Sequence, residues 1–457
     1  MKDEVDDVKV AIIGAGPSGL GAAYHFSVHR DTNWHLYERV GHVGGLSASF
    51  VDDHGFTWDV GGHVLFSHYD YFDRVVEEAL NGAWYEHQRE SWVRIHDTWV
   101  PYPFQNNIRH LPPDALEECL AGLKGLAGSP SLAANFREWM DRVFGTGIVK
   151  HFMEPYNRKV WGVPLHEMSR EWIGERVSVI DLARIEKNIA EKTDDVNWGP
   201  NNTFKFPHKG GTGAIFSSIA TRFQDRISFS HELTEVDLAA RELAFSNGRR
   251  ERYDSLITTI PLDIFIGLCR DVPDHVREAA SRLVHNSGLI VGIGVEGERC
   301  DSKCWMYFPE DNCPFYRVTN FHNYSPWNVP NGDTSRFFSL MCETTYSPHK
   351  PVNHTEIVET TIQGLINAGM LAESERERII SRYVIDIPYS YPVPTVGRDE
   401  ALAVINPFLE SQGVYSRGRF GAWKYEVGNM DHSFMQGVEV ADRILNGADE
   451  PTLNGCI

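Results

Sequence analysis

After a short acidic stretch the chain enters a nearly continuous apolar run, VKVAIIGAG, whose beta-branched residues from Val8 to Ile13 predict a strand buried on both faces. A glycine turn follows, and LGAAYHF then predicts a helix. WHLYERV predicts a second strand ending at Glu38, with another glycine-rich turn at Gly41, Gly44 and Gly45. The opening therefore reads as a βαβ unit. From about Leu116 to Trp161 the apolar positions fall three and four apart, as in NFREWMDRVFGTGIVKHF, and predict a helical insertion. Between Ile227 and Ile260 the pattern returns to short strands, with NGRR as a turn and YDSLITTIPL as a buried strand. From Gly288 to Glu343, LIVGIGVEG, KCWMYF and SRFFSLMCE predict antiparallel strands rich in aromatic residues. Near the end, GVEVADRILNG reads as a helix stopped by Gly447, with the glycine-rich RGRFGAWKYEVGN just upstream.

At 457 residues and 42% hydrophobic, the chain can bury a large core and is long enough for two or three structural modules. A net charge of −20 argues against nonspecific attraction to nucleic acid or an acidic membrane. It leaves room for a local arginine cluster holding a small phosphorylated substrate. The seven cysteines, Cys119, Cys269, Cys300, Cys304, Cys313, Cys342 and Cys456, are odd in number and scattered, which predicts reduced thiols. Cys300, Cys304 and Cys313 lack a second well-spaced pair, so no metal is predicted. MKDEVDD has neither the basic start nor the apolar centre of a signal peptide, and no apolar run is long enough for a bilayer. The expectation is a cytoplasmic protein without membrane insertion.

Candidate chemistry starts at GAGPSG, where Gly14, Gly16 and Gly19 follow a predicted strand and open a predicted helix. Such glycines permit a tight turn and close approach of the backbone to a pyrophosphate, while the helix N-terminus supplies amide donors and a favourable dipole. Glu38 lies 19 residues beyond Gly19, where a carboxylate can accept from an adenosine ribose. The fingerprint alone admits NAD or FAD. The second glycine turn, HVGGLSASF, and the distant GNMDHSFMQGVEVADRIL, able to bring another helix N-terminus to the cofactor, favour FAD. No Ser/His/Asp arrangement or catalytic carboxylate pair stands out.

Longer motifs sharpen the picture: WDVGGHVLFSHYDYF, VPYPFQNNI, PYNRKVWGVP, GERV, NWGPNNTFKFPHKGGTG, CWMYFPEDNCPFYRVTNFHNYSP and SRGRFGAWKYEVGNMDHSF. Together they resemble the UDP-galactopyranose mutases, the eukaryotic type more than the shorter bacterial type, from about Val8 to Asn454. The resemblance implies an α/β fold: a Rossmann-like FAD-binding domain with an inserted helical domain and an antiparallel β-sheet substrate domain. The FAD-binding domain would comprise 1–90, 203–275 and 409–457, and the helical domain 108–202. The sheet domain would take 276–408, with a strand contributed by 91–107.

The same resemblance implies site residues. Gly14, Gly16, Ser18, Gly19 and Glu38 would bind FAD, together with Gly44, Gly45, Leu46 and Ser47 of the second turn. Gly61, Gly62 and His63 would lie beside the isoalloxazine, and Val236, Arg419, Gly428, Asn429, Met430 and Ser433 would complete the cofactor site. Arg176 of GERV and Arg317 of FYRVTN would hold the substrate diphosphate, since a guanidinium offers phosphate a planar, permanently charged fork. Tyr307, Tyr391 and Tyr425 would hydrogen-bond the phosphates, and Asn201 would lie near the sugar and second phosphate. Tyr102, Gln105, Phe152, Asn157 and Trp161 match the uridine and mobile-loop region; Phe152 and Trp161 fit equally the aromatic stripe of a helical core.

His63, Arg176 and Arg317 are the implied catalytic residues, His63 by positioning and gating. The implied reaction exchanges pyranose and furanose forms of a nucleotide-diphosphate sugar, most simply UDP-galactose. It proceeds through covalent catalysis at N5 of reduced FAD, with NADPH or NADH as reductant. The same chemistry on another nucleotide sugar is the alternative, and an amine oxidase-like oxidoreductase a more remote one. The sequence leaves the oligomeric state open. It departs from the family pattern at Met430, where fungal members carry Gln, and in IDIPYSYPVPT, which replaces a more polar run; it also lacks the longer C-terminal tail of some members.

Overall fold

A computed structural model describes residues 8–29, 32–126, 132–174, 177–178, 180–196 and 202–455. Arg176, Asn201 and Cys456 lie outside the described residues. The other six cysteines are unbridged.

The apolar run at the start forms the Val8–Ile13 strand. Val10 through Ile13 are all buried because the strand pairs in parallel on both sides, with Trp34–Tyr37 and with Arg250–Thr258. Val414–Ser416 and Ile227–Ser228 extend this sheet in parallel, while Leu233–Asp237 and Glu242–Phe245 add an antiparallel edge. Three separated stretches of sequence thus build one sheet. Two helices pack on it and on each other: Pro17–Val28, with Pro at its first turn, and Met430–Asn446, which ends at Gly447 in the left-handed conformation.

The second sheet is mostly antiparallel, in the order Ile379–Val393, Val284–Glu296, Phe337–Tyr346, Arg317–Asn320, Trp305–Tyr307, Ser91–Ile95, Thr98–Pro101. Its one parallel pairing joins Trp305–Tyr307 to Ser91–Ile95. The hairpin formed by Ser91–Ile95 and Thr98–Pro101 leads directly into the helical region, whose core gathers Phe104, Phe136, Met140, Phe144, Phe152 and Trp161. The expected helical insertion is present and is interrupted within. Gly145 has φ 68 and ψ 167 where the chain crosses the backbone of Gly122, a single π turn spans Val149–Met153, and a regular helix resumes over Glu154–Trp161. Among the described residues no helix is long and apolar enough to cross a membrane.

Candidate active site

One cleft of about 1570 Å³ runs between the two sheets and the helical region. It exceeds the ~300–1,000 Å³ typical of a single small-ligand pocket, so it has room for two ligands end to end. It opens at the carboxyl ends of the parallel strands, where Ile13, Gly14, Tyr37, Glu38 and Thr259 line it, the place where open α/β sheets bind nucleotides.

At this end Gly14 has φ 97, and a side chain there would strike Thr259 Oγ1, so the turn demands glycine. The Pro17–Val28 helix begins without a side-chain cap, and Ser18 Oγ, buried beside its first turn, has no hydrogen-bond partner. The Met430–Asn446 helix also starts uncapped on the cleft, through Asn429, Met430 and Ser433. Glu38 is fixed by the Ala15 amide at 2.7 Å and the Val40 amide at 3.0 Å, and carboxylate oxygens retain capacity for further donors. An orphaned hydroxyl, two open helix N-termini and an anchored carboxylate fit the pyrophosphate and ribose of FAD.

The remaining cofactor candidates divide. Gly16, Gly45, Leu46, Ser47, Gly62, His63, Arg419 and Gly428 face the cleft. Gly19 and Gly44 stand behind its wall, Gly44 joining the two turns by donating to Ala15 O at 2.8 Å. Gly61 lines a small adjoining cavity beside Glu343. Val236 is fully buried, its carbonyl accepts from the Arg270 amide, and the neighbouring wall is made instead by His231, Glu232 and Leu233.

His63 is half-buried, and its Nδ1 atom is enclosed and unpartnered. Burial, reinforced by the cations Arg419 and Arg317, pushes its imidazole down to about 4. The ring is therefore neutral near pH 7. An unfolded histidine, with a pKa near 6.5, binds a proton that the folded one refuses, so this contribution to stability is complete above about pH 6.5 and is lost as pH falls toward 4. The total is about 3 kcal/mol. The expected result is that His63→Gln loses about 2 kcal/mol less stability than the parent between pH 6.5 and 4.5 in urea unfolding; parallel pH profiles would contradict it.

The other end of the cleft is aromatic. Tyr102 and Tyr307 lie with ring centres 5.1 Å apart. Trp161 sits 4.9 Å from Tyr425 and 5.9 Å from Tyr391. Phe152 and Trp161 belong to the helical core and also line the cleft, so both readings of the stripe apply. Asn157 lines it too, with Nδ2 donating to Met153 O of the preceding π turn. Gln105 donates Nε2 to Ser178 O at 2.7 Å, leaving Oε1 buried without a partner in the cleft wall.

Arg317 enters from the sheet, its guanidinium 4.8 Å from the centre of the Trp305 ring. Nε and Nη2 donate to the two oxygens of Glu343 at 2.5 and 2.6 Å. That carboxylate also accepts from the Gly62 amide at 3.1 Å and from Tyr316 Oη at 2.9 Å. Sequence reading missed Glu343, Tyr316 and Tyr156, although a solitary charge within the apolar FFSLMCETTY strand was a usable signal for Glu343.

Residues 17–445 match the flavin containing amine oxidoreductase family. The crystal structure of reduced UDP-galactopyranose mutase is 46% identical, superposes with a TM-score of 0.93 and aligns over 97% of this chain and 95% of its own. A CLA-producing fatty acid isomerase from P. acnes (14% identity, TM-score 0.65, 96% and 98% covered) shares the fold. So does putrescine oxidase bound to putrescine (14% identity, TM-score 0.64, 96% and 99% covered).

Proposed function

The chain belongs to the flavin-containing amine oxidoreductases and, within them, to the UDP-galactopyranose mutases, and we propose that it interconverts UDP-galactopyranose and UDP-galactofuranose with FAD bound. We place it in the cytoplasm, with NADPH or NADH as the activating reductant. The observation that carries this reading is the joining, in one cleft, of a dinucleotide end with a second end built from arginine, tyrosines and an unsatisfied amide oxygen.

When bound and reduced, FAD supplies a nucleophilic N5 able to hold the anomeric carbon while the sugar ring opens and recloses. The chain's own residues bind, orient and exclude water. Gln105 Oε1 is placed to accept from an N–H of the uracil ring, and the aromatic wall of Tyr102, Phe152 and Trp161 shields the base and sugar from solvent. Arg317, with the hydroxyls of Tyr307, Tyr391 and Tyr425, keeps the departing diphosphate within reach of recapture. Arg176 and Asn201 are proposed for the same substrate on the family resemblance. Neutral His63 acts by position beside the flavin ring, consistent with a reaction in which no proton need be stored on imidazolium.

The test is anaerobic incubation of the purified flavoprotein with NADPH or NADH and a panel of UDP-, GDP- and dTDP-hexoses, with pyranose and furanose products separated by chromatography. Conversion of UDP-galactose is expected. Conversion of another hexose only would move the substrate; amine-dependent oxygen consumption without isomerisation would favour the oxidase class.

A further inference from the structure

Glu343 occupies the middle of a sheet strand and is 3% exposed, yet its carboxylate is shared among three groups from two distant parts of the chain. Oε1 accepts from Arg317 Nε and the Gly62 amide; Oε2 accepts from Arg317 Nη2 and Tyr316 Oη. Arg317 has five N–H groups, and Glu343 engages the edge formed by Nε and Nη2. The terminal edge, made by Nη1 and the second hydrogen of Nη2, is left for a ligand, and it is a fork that suits two phosphate oxygens. The Trp305 ring lies over the guanidinium carbon, with its centre 4.8 Å away, and helps to hold the group in place.

From this arrangement we infer that Glu343 is a positioning residue for the proposed mutase reaction, fixing both the terminal edge of Arg317 toward the diphosphate and the Gly62 peptide beside His63. The inference rests on the proposed function for its substrate. One carboxylate thereby ties the group that holds the leaving diphosphate to the loop that flanks the flavin site. The Arg317–Glu343 pair is close to neutral overall, so Arg317 acts through directed hydrogen bonds more than through bare charge. Position should therefore matter as much as charge. Shortening the acid by one methylene withdraws both oxygens while keeping the charge balance, whereas an amide places an NH2 group against donors.

The experiment compares the FAD-bound parent with Glu343→Asp and Glu343→Gln, measuring flavin content and thermal melting, UDP affinity by calorimetry, and kcat and KM separately. Glu343→Asp is expected to keep its flavin and melt near the parent, yet to bind UDP about tenfold more weakly and lose at least about tenfold in kcat. Glu343→Gln should lose more than Glu343→Asp in both respects. UDP affinity and kcat within twofold of the parent in Glu343→Asp would overturn the inference in favour of simple charge compensation. Tighter UDP binding would overturn it too, since Glu343 would then compete with the diphosphate for Arg317. If Glu343→Gln does not fold, Glu343→Asp decides. A parent that converts no nucleotide sugar sinks the mutase reading, and the ratio of UDP affinities still decides the role of Glu343.

Discussion

Arg317→Lys is expected to lower kcat/KM by a hundredfold or more while leaving flavin content unchanged. In the parent the guanidinium serves two partners with two different edges: Glu343 takes Nε and Nη2, and the terminal edge remains for phosphate. A lysine ammonium is a point donor on a flexible stem and cannot face both ways at fixed geometry. With Glu343 buried and held by the Gly62 amide and Tyr316, the ammonium should settle on the carboxylate and leave the diphosphate without its fork. The loss should fall on kcat as well as KM, because a leaving group that drifts is not recaptured. Arg317→Ala should be equally inactive and also less stable, since an unpaired buried carboxylate costs about 3–5 kcal/mol. Steady-state kinetics beside the flavin-to-protein absorbance ratio checks this; kcat/KM within threefold of the parent would remove Arg317 from its assigned role.

Gly437→Val is expected to yield protein largely free of flavin and destabilised by about 3 kcal/mol or more. A Cβ at Gly437 would run into the carbonyl oxygen of Ser18 and come within 2.8 Å of the Ala22 amide nitrogen, and Gly21 meets Phe434 just as closely in the reverse direction. The Pro17–Val28 and Met430–Asn446 helices therefore cross backbone to backbone, and a branched side chain must push them apart. Both helices begin on the cofactor end of the cleft, where Ser18 and Ser433 lie, so separating them pulls apart two halves of the same site. The absorbance ratio after desalting and a thermal melt report the two effects. Full flavin occupancy with unchanged melting would show that the helix crossing tolerates expansion.

Local signals made much of this architecture readable. The strand–glycine–helix sequence from Val8 to Val28 could be read because its determinants, an apolar run, a glycine turn and a helical stretch, are all within a few residues. Likewise the apolar runs LIVGIGVEG and SRFFSLMCE announce the long antiparallel strands Val284–Glu296 and Phe337–Tyr346. What local pattern does not carry is tertiary approach. The break at Gly145 depends on Gly122 of a neighbouring helix, and periodicity around Gly145 is as helical as elsewhere. Glu343 acts on Gly62 from 281 positions away, so only its oddity in an apolar strand was visible, without its partners. Val236, which the resemblance implies as a cofactor residue, is fully buried, and its carbonyl accepts from the Arg270 amide.

The most direct test of the central claim holds substrate and enzyme constant and changes only the redox state of the flavin. Anaerobic protein reduced with dithionite, and the same protein oxidised, are each incubated with UDP-galactofuranose, whose conversion is read by chromatography. Isomerisation by the reduced form alone, with no net oxidation of the sugar, is the predicted result. Equal conversion by the oxidised form, or none by the reduced form, would contradict a flavin-dependent mutase.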